Sequence, residues 1–566
     1  MTLEKIRHSA SHVLAQAVQS FYPNVKLGIG PVIENGFYYD FDLDSTISEK
    51  DLIKIESKMK EIIKEKQEFI ESKKNKKEAI NFLEEKKQNY KLELVKDLNL
   101  ENYSFYQNGP FVDLCKGPHV ENTKEIKFFK LLKVTGAYWK GSEKNKMLQR
   151  IYGTAFKNKE DLKNYLTFLS EAKKRDHRSL GKQLDLFSIH DEIGSGLILW
   201  HPKGTLLKKI MENSWENLHQ KMNYLLVQTP HIGKESLWNT SGHLGFYKEN
   251  MYDSSCVDEQ EYFIKPMNCP FHILIYKSKI HSYKNLPVRY AELGTVYRYE
   301  KTGVLHGLMR ARGFTQDDAH IICKKNQVNN EIQTILELAL STLKQYGFTE
   351  ISAYLSTKPD EKFVGSQEDW TISEQSLKLA LEESRVPFQI DEGGGAFYGP
   401  KIDLKIKDAL KREWQCSTIQ FDFNLPKRFD MSFINENGDK ETPFMIHRAI
   451  FGSIERFIGI LIEHHNGQFP FWLAPTQITI ISVSENEISY CKRISEKLRD
   501  LGYRVEQDFR KEKIGKKIKT AINNKIPYMF IIGKNEVTLD EISVRDAKEN
   551  KKWKTIEEFV KNTNKN

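Results

Sequence analysis

Leu52, Ile55, Met59 and Ile62 recur at i, i+3, i+7 and i+10 through "DLIKIESKMKEIIKEKQEFI", with Lys and Glu between them. That spacing predicts an α-helix with one apolar stripe and a charged outer face. Upstream, "HSASHVLAQAV" predicts a short helix, and "GIGPVIENGFYYDFD" carries turn and strand signals. The Lys/Glu-dense run from 71 to 87 reads as a solvated face or a loop. "EDLKNYLTFLSEAKKR" predicts a helix linking a first block to a second at about 180–470. The second block mixes β-rich runs, "RYAELGTVYRYE" and "STIQFDFNLP", with helical ones such as "NEIQTILELALSTLKQYG". After "FWLAP" strand and helix alternate: "QITIISV", "EISYCKRISEKLRDLG", "YRVEQDF", "IGKKIKTAINNK", "YMFIIG". That order predicts a small α/β domain. No internal repeat at solenoid periods is present.

At 566 residues the chain exceeds one core, so two to four domains are expected. Hydrophobic residues at 39% and charged residues at 29% fit a folded soluble protein. No run of about 18 apolar residues exists, and the start has no apolar h-region, so a cytoplasmic protein without a membrane partner is expected. Six cysteines without a CxxC argue against a disulfide framework. The net charge of +9 fits a polyanion partner weakly.

Candidate chemistry concentrates in a few segments. "MRARGFTQDDAHIIC", Met309 to Cys323, sets Arg310 and Arg312 before Asp317, Asp318 and His320. It reads either as an edge strand with its charges in water or as a site for cations, acids and a metal ligand. His8 and His12, four apart in "HSASHVL", share one helical face. Without a Glu after the first His they are not an HExxH pair. "DLCKGPHV" adds Cys115 and His119 across a Gly-Pro turn. Together these four would suit zinc or a metal-free hydrolytic pocket, and spacing leaves both open. Arg298 and Arg310 could clamp phosphate bidentately, while Arg298 with Glu300 could equally be a surface pair. Arg456 falls among Phe451, Ile454, Phe457 and Ile460 of an amphipathic helix, where a buried guanidinium needs a partner. Cys269, His320 and His447 lie far apart, and no spacing rule joins them.

Read together, the segments resemble bacterial threonyl-tRNA synthetases, of the class II aminoacyl-tRNA synthetases. The matching stretches are "HSASHVL", "DLCKGPHV", "GAYWKG", "MLQRIYGTAF", "KRDHRSLGKQLDLF", "IKPMNCPFH", "LHGLMRARGFTQDDAHIIC", "GAFYGPKIDL", "WQCSTIQFDF", "IHRAIFGSIERFIGIL" and "PFWLAP", in family order across nearly the whole chain. The resemblance implies an α+β multidomain protein. Its parts would be an α+β editing domain at 1–154, a linker helix at 155–180, an antiparallel-sheet catalytic domain flanked by helices at 181–472, and an α/β anticodon-binding domain at 473–566. Family members commonly begin with a small ubiquitin-like domain. Here the His-pair helix starts within ten residues of Met1, so a form without that domain is expected.

The implied chemistry is ATP-dependent adenylate formation on L-threonine, followed by transfer to tRNA(Thr). Arg298 would hold the α-phosphate and the amino-acid carboxylate. Glu300 and Phe314 would take the adenine, and Arg310 and Arg456 the outer phosphates with Mg²⁺. Gln316 would touch substrate, and His243 would assist proton movement in transfer. Cys269, His320 and His447 match the family's ligands for one Zn²⁺ per subunit. Met267, Asp318, Tyr398, Lys401 and Gln420 would line the threonine pocket. A zinc with an open position would accept threonine's amino and hydroxyl groups and reject valine. Serine lacks only a methyl, worth about 1–3 kcal/mol, so a hydrolytic second site is needed. His8, His12, Cys115 and His119 would form it, lined by Asp113 and Lys91, activating water without a metal. Glu536 and Arg545 match anticodon-reading positions, and Lys511 stands where Asn is common. Pro230 matches the proline of the dimer-forming motif, implying a homodimer. The competing readings are a non-catalytic RNA-binding regulatory paralogue, a free-standing editing hydrolase and a sister class II enzyme.

Overall fold

A computed structural model describes residues 2–361 and 363–563. The chain forms two compact units, divided between Glu171 and Ala172.

In the first unit, α1 (Leu3–Phe21) has 19 residues and is not the short helix expected. From Ile6 to Val18 nearly every side chain is buried, small Ser and Ala residues allowing close approach on all sides. The other elements are β1 (Gly36–Asp42), α2 (Glu49–Lys64), β2 (Phe69–Asn75), α3 (Lys76–Glu85), α4 (Asn89–Leu98), β3 (Asn102–Asn108), β4 (Phe111–Leu114), β5 (Phe128–Tyr138) and β6 (Met147–Phe156). Helix α2 buries the predicted Leu52, Ile55, Met59 and Ile62, and Ser48 with Asp51 closes a capping box at its start. β1, β6 and β5 form the antiparallel sheet against which α1 packs. β2, β3 and β4 form a second sheet. The charged run at 71–87 is the solvated face expected rather than a loop: most of its side chains are exposed on the end of β2 and on α3. β2 pairs along its length with β3, and α3 docks through buried Ala79 and Leu83 with Ile80 and Phe82 beside them. Helix α5 (Lys159–Arg175) follows and buries no side chain.

The second unit is built on an eight-stranded sheet. Its elements are α6 (Pro202–Lys221), β7 (Leu225–Leu226), α7 (Cys269–Lys277), β8 (Val288–Tyr297), β9 (Gly313–Cys323), α8 (Val328–Gln345), β10 (Ile351–Ser356), α9 (Gln367–Glu383), β11 (Phe388–Asp391), β12 (Lys401–Lys407), β13 (Glu413–Asp422), β14 (Phe444–Ala449) and α10 (Ile454–His464). The strand order is β7-β8-β9-β14-β13-β12-β10-β11, antiparallel except for the parallel strand at either edge. The stretch Gly313–Cys323 is therefore an interior strand, hydrogen-bonded to β8 and β14, and not an exposed edge. Alternation sends Ala319 and Ile321 into the core formed with α6, α8, α9 and α10, and turns Gln316, Asp318 and His320 to the opposite face.

The C-terminal part of this unit follows the predicted alternation: β15 (Ile478–Ser482), α11 (Ile488–Asp500), β16 (Val505–Asp508), α12 (Ile514–Asn523), β17 (Tyr528–Ile532), α13 (Lys534–Leu539), β18 (Val544–Arg545) and α14 (Ile556–Thr563). β15, β16 and β17 are parallel, and β18 closes one edge antiparallel to β17.

Candidate functional site

Strand register assembles one row of polar side chains. Glu292 pairs with Asp318 across β8 and β9, and His320 with His447 across β9 and β14. His447 pairs in turn with Gln420 on β13, and Gln420 with Lys401 on β12. Partners in register share a face, so residues more than 100 positions apart become neighbours. Cys269, first residue of α7, completes a buried group in which the ligand atoms of Cys269, His320 and His447 lie within 4.8 Å of one another. Thiolate and imidazole are the donors zinc takes. His447 Nε2–H donates to Asp422 Oδ2 at 2.7 Å, which leaves Nδ1 with its lone pair. Burial, helped by Asp318 and Asp422, pushes the Cys269 thiol up, and a dication among these groups would favour the thiolate instead. Burial also holds His320 well below the usual range, in the neutral form that binds metals.

Around this group, Asn268 Nδ2 donates to Asp318 Oδ2 at 3.1 Å. The Tyr398 hydroxyl donates to Gln420 Oε1, and its ring stands 5.5 Å from that of His447. Lys401 Nζ lies 2.6 Å from Asp403. His243 is buried, with Nδ1 2.7 Å from Ser241 Oγ and Nε2 3.1 Å from Met267 Sδ. Burial first, then the charge of Arg298, brings His243 down to about 4. The Arg298 guanidinium carbon sits 5.2 Å from the centre of the Phe314 ring. Glu300 pairs with Arg310, at 3.0 Å, rather than with Arg298. Arg456, in the first turn of α10, makes no salt bridge among the described residues, and its buried Nε has no hydrogen-bond partner. The structural ion pair considered for it is absent there, and the guanidinium is free to meet an anion. Gln316 Oε1 is likewise buried without a partner.

Asp317, beside Asp318, points the other way. Its carboxylate accepts from the backbone N–H groups of Ile450 (2.8 Å), Phe451 (3.0 Å) and Gly452 (2.9 Å). It thereby ties β9 to the loop that opens α10 and Arg456. Burial pushes its carboxyl up to about 6, opposed by Arg448 and those N–H groups. His177 plays a similar part: Nδ1 is 2.7 Å from Glu463, and Nε2 accepts from Leu308 N–H at 3.1 Å. Sequence reasoning assigned neither residue a role. The doubled acid at 317–318 was the one visible signal.

In the first unit, His8 and His12 lie one turn apart on α1, and Cys115 and His119 follow β4. Gly117 between them has φ +68°, and a Cβ there would stand 2.4 Å from the Tyr106 hydroxyl. Cys115 Sγ is 3.1 Å from His8 Nε2 and 3.3 Å from His119 Nε2, and the four ligand atoms lie within 4.8 Å of one another. Asp113 is buried with Lys91 at 2.8 Å, accepts from the Tyr39 hydroxyl, and lies 3.9 Å from His12. Burial pushes the Cys115 thiol up to about 12 and holds all three imidazoles below their usual value. The three imidazoles are thus neutral, each with a ring nitrogen that can hold a water by hydrogen bond beside the buried Asp113–Lys91 pair. At the carboxyl ends of the parallel strands, Lys511 pairs with Glu485 at 2.7 Å, and Glu536 caps α13 by accepting from Gly533 N–H at 2.9 Å. Arg545 lies apart on β18, opposite Met529, with its Nε unpartnered.

Three family profiles match the chain. "Threonyl and Alanyl tRNA synthetase second additional domain" matches residues 103–152, "tRNA synthetase class II core domain (G, H, P, S and T)" residues 252–465, and "Anticodon binding domain" residues 477–566. A threonine–tRNA ligase of Sulfurihydrogenibium sp. (strain YO3AOP1) is 54% identical over 99% of this chain and 88% of its own length. The chain belongs to the threonine–tRNA ligase family. A threonine–tRNA ligase of Aquifex aeolicus is 50% identical over 99% of this chain and 90% of its own. The crystal structure of the RNA binding domain of a threonyl-tRNA synthetase from Cryptosporidium parvum superposes with a TM-score of 0.66 at 38% identity, covering 69% of this chain and 98% of that one. The α+β multidomain architecture expected from the sequence is that of this threonine–tRNA ligase family: a class II core with editing and anticodon-binding domains.

Proposed function

We propose that the chain activates L-threonine with ATP, transfers it to tRNA(Thr), and hydrolyses seryl-tRNA(Thr) at a separate site. The observation that carries the reading is the row Asp318, His320, His447, Gln420 on one sheet face, completed by Cys269. Cys269 Sγ, His320 Nε2 and His447 Nδ1 would hold one Zn²⁺ per subunit. When bound, that ion supplies a Lewis-acidic open position for an amino group and a hydroxyl.

The chain's own groups do the rest. Asp318 and the Tyr398 hydroxyl receive the substrate ammonium, and Met267, Gln420 and Lys401 close the pocket round the side chain. Arg298 binds the α-phosphate and the carboxylate, bringing them into line for displacement. Phe314 and Glu300 take the adenine. Arg310 and Arg456 hold the outer phosphates, with Mg²⁺ sharing their charge. Gln316, on the same strand, touches the adenylate. His243, buried beside Ser241 and Met267, assists proton movement in the transfer step. Serine differs by one methyl, about 1–3 kcal/mol, so a sieve acting on the product is required. His8, His12, Cys115 and His119 activate the hydrolytic water, with Asp113 and Lys91 as a fixed charge pair beside them. Glu536, Lys511 and Arg545 contact the anticodon arm.

Leu225 and Leu226, on the edge strand β7, are 57% and 40% exposed and support a homodimer formed near Pro230. No helix among the described residues is long and apolar enough to cross a membrane, and we place the chain in the cytoplasm. The test is amino-acid-dependent ATP–pyrophosphate exchange on zinc-loaded and chelated protein. Threonine should drive exchange, serine less well and valine not at all, and chelation should abolish it. Zinc-loaded protein that no amino acid drives would refute the reading and favour the regulatory paralogue.

A further inference from the structure

His272 follows Cys269 by three residues on α7, a spacing that would suit a further metal ligand. Its ring is occupied otherwise. Nδ1 lies 2.8 Å from His320 Nδ1, and Nε2 lies 3.0 Å from Glu292 Oε2. Glu292 also accepts from Thr229, from its N–H at 2.8 Å and its hydroxyl at 2.9 Å. Lys265 Nζ stands 3.7 Å from Glu292 and donates to Thr229 Oγ1 at 2.8 Å. His272, Lys265, Glu292 and Thr229 are all buried, so each polar atom depends on these partners.

Glu292 at one end and a metal-ligating His320 at the other set the direction of the chain. A carboxylate beside an ammonium only accepts, so His272 Nε2 must carry the hydrogen. Ligation through His320 Nε2 leaves that ring's hydrogen on Nδ1, 2.8 Å from His272 Nδ1, whose lone pair can accept it. The two rings and the carboxylate then form one donor chain, His320 Nδ1–H to His272 Nδ1 and His272 Nε2–H to Glu292. We infer that His272 and Glu292 are the positioning partners of the metal centre, holding His320 in the one tautomer and ring orientation that can ligate through Nε2. This rests on the reading of Cys269, His320 and His447 as that centre. Asp422 does the corresponding work for His447 in a single step. On the His320 side the support passes through a second histidine. It ends on Thr229, the residue before Pro230, so the segment around that proline and the metal ligand share one buried network.

The test measures zinc affinity by competition with a chelator, on the full chain, for wild type, His272→Phe and His272→Asn. Outer partners of ligand histidines are worth about 10- to 100-fold in metal affinity. His272→Phe should lose affinity in that range. His272→Asn, whose amide oxygen can stand where Nδ1 stood, should recover most of it. Cobalt(II) in place of zinc should give the same thiolate-to-metal band and tetrahedral absorption in all three, because the ligand set is unchanged. Unchanged zinc affinity in His272→Phe would overturn the inference. So would a cobalt spectrum showing that His272 is itself a ligand. Equal losses in Phe and Asn variants, with thermal melting of both metal-free proteins lowered alike, would mark a purely structural role and also overturn it. A wild-type chain that takes up no zinc would instead overturn the underlying reading of the centre.

Discussion

Gly294→Ala places one methyl where the buried Asn268 side chain leaves no room for it. Gly294 lies on β8 opposite Gln316, and a Cβ there would stand 2.4 Å from Asn268 Nδ2 and 2.6 Å from its Cγ and Oδ1. Ordinary contact begins near 3.4 Å, so the amide must shift by about 1 Å. Asn268 is fully buried, and its Nδ2 donates to Asp318 Oδ2 at 3.1 Å. A bond of that length does not survive such a displacement of its donor. A hydrogen bond to a charged acceptor is worth about 1.5–3 kcal/mol, and each 1.4 kcal/mol is tenfold. If Asp318 orients the substrate ammonium, the threonine KM in pyrophosphate exchange should rise roughly 10- to 150-fold. The ATP KM should stay within about twofold, since the arginines are untouched. Asn268→Ala should show a loss of similar size, and adding Gly294→Ala to it should cost little more, because the clash has gone. An unchanged threonine KM in Gly294→Ala, or fully additive losses in the double variant, would refute the reasoning.

Arg456→Ala should reduce exchange by at least about 100-fold, in the range of a lost transition-state donor, yet leave the melting temperature unchanged or higher, because its buried Nε satisfies nothing in the protein. A melting temperature several degrees lower would show a structural partner instead. His243, held near 4, binds a proton less readily in the folded chain than in the unfolded one, so its contribution to stability is present above about pH 6.5 and is lost as pH falls through 4. Transfer to tRNA should accordingly show no limb near pH 6.5 from this residue, and His243→Ala should slow transfer while sparing exchange. Arg545→Ala should weaken tRNA charging and leave exchange intact, and equal loss of both would sink its anticodon assignment.

What could be read in the sequence was what depends on neighbours along the chain. The stripe of α2 and the alternation of the C-terminal domain follow from local periodicity, and both elements formed as expected. The strand β9 was ambiguous because it carries polar residues on both faces. Only its two flanking strands decide that Asp317 turns to backbone donors in the core side while Asp318 and His320 turn to the pocket. Cys269, His320 and His447 are joined by register and by one helix start. No spacing rule expresses that, so family resemblance had to supply them. His272 escaped even the resemblance, since its meaning lies in Glu292, twenty positions on, and His320, forty-eight on.

Two groups of Cys and His have the distances for an ion, and their surroundings separate them. Near Cys269, Asp318 and Asp422 both raise the thiol, opposed by Arg298, so the field there is one a dication relieves. Near Cys115 the carboxylate is Asp113, already matched by Lys91 at 2.8 Å, and the Lys91 charge bears on His8, His12 and Cys115. A second positive ion would meet an ammonium that cannot leave its buried partner without stranding it, at about 3–5 kcal/mol. Elemental analysis should therefore find one zinc per chain, none in Cys269→Ser, and still one in Cys115→Ser, with seryl-tRNA hydrolysis lost only in the last. A near-stoichiometric second zinc that disappears with Cys115→Ser would show that the Lys91 field is too weak to decide the matter, and that the hydrolytic water is activated by a metal after all.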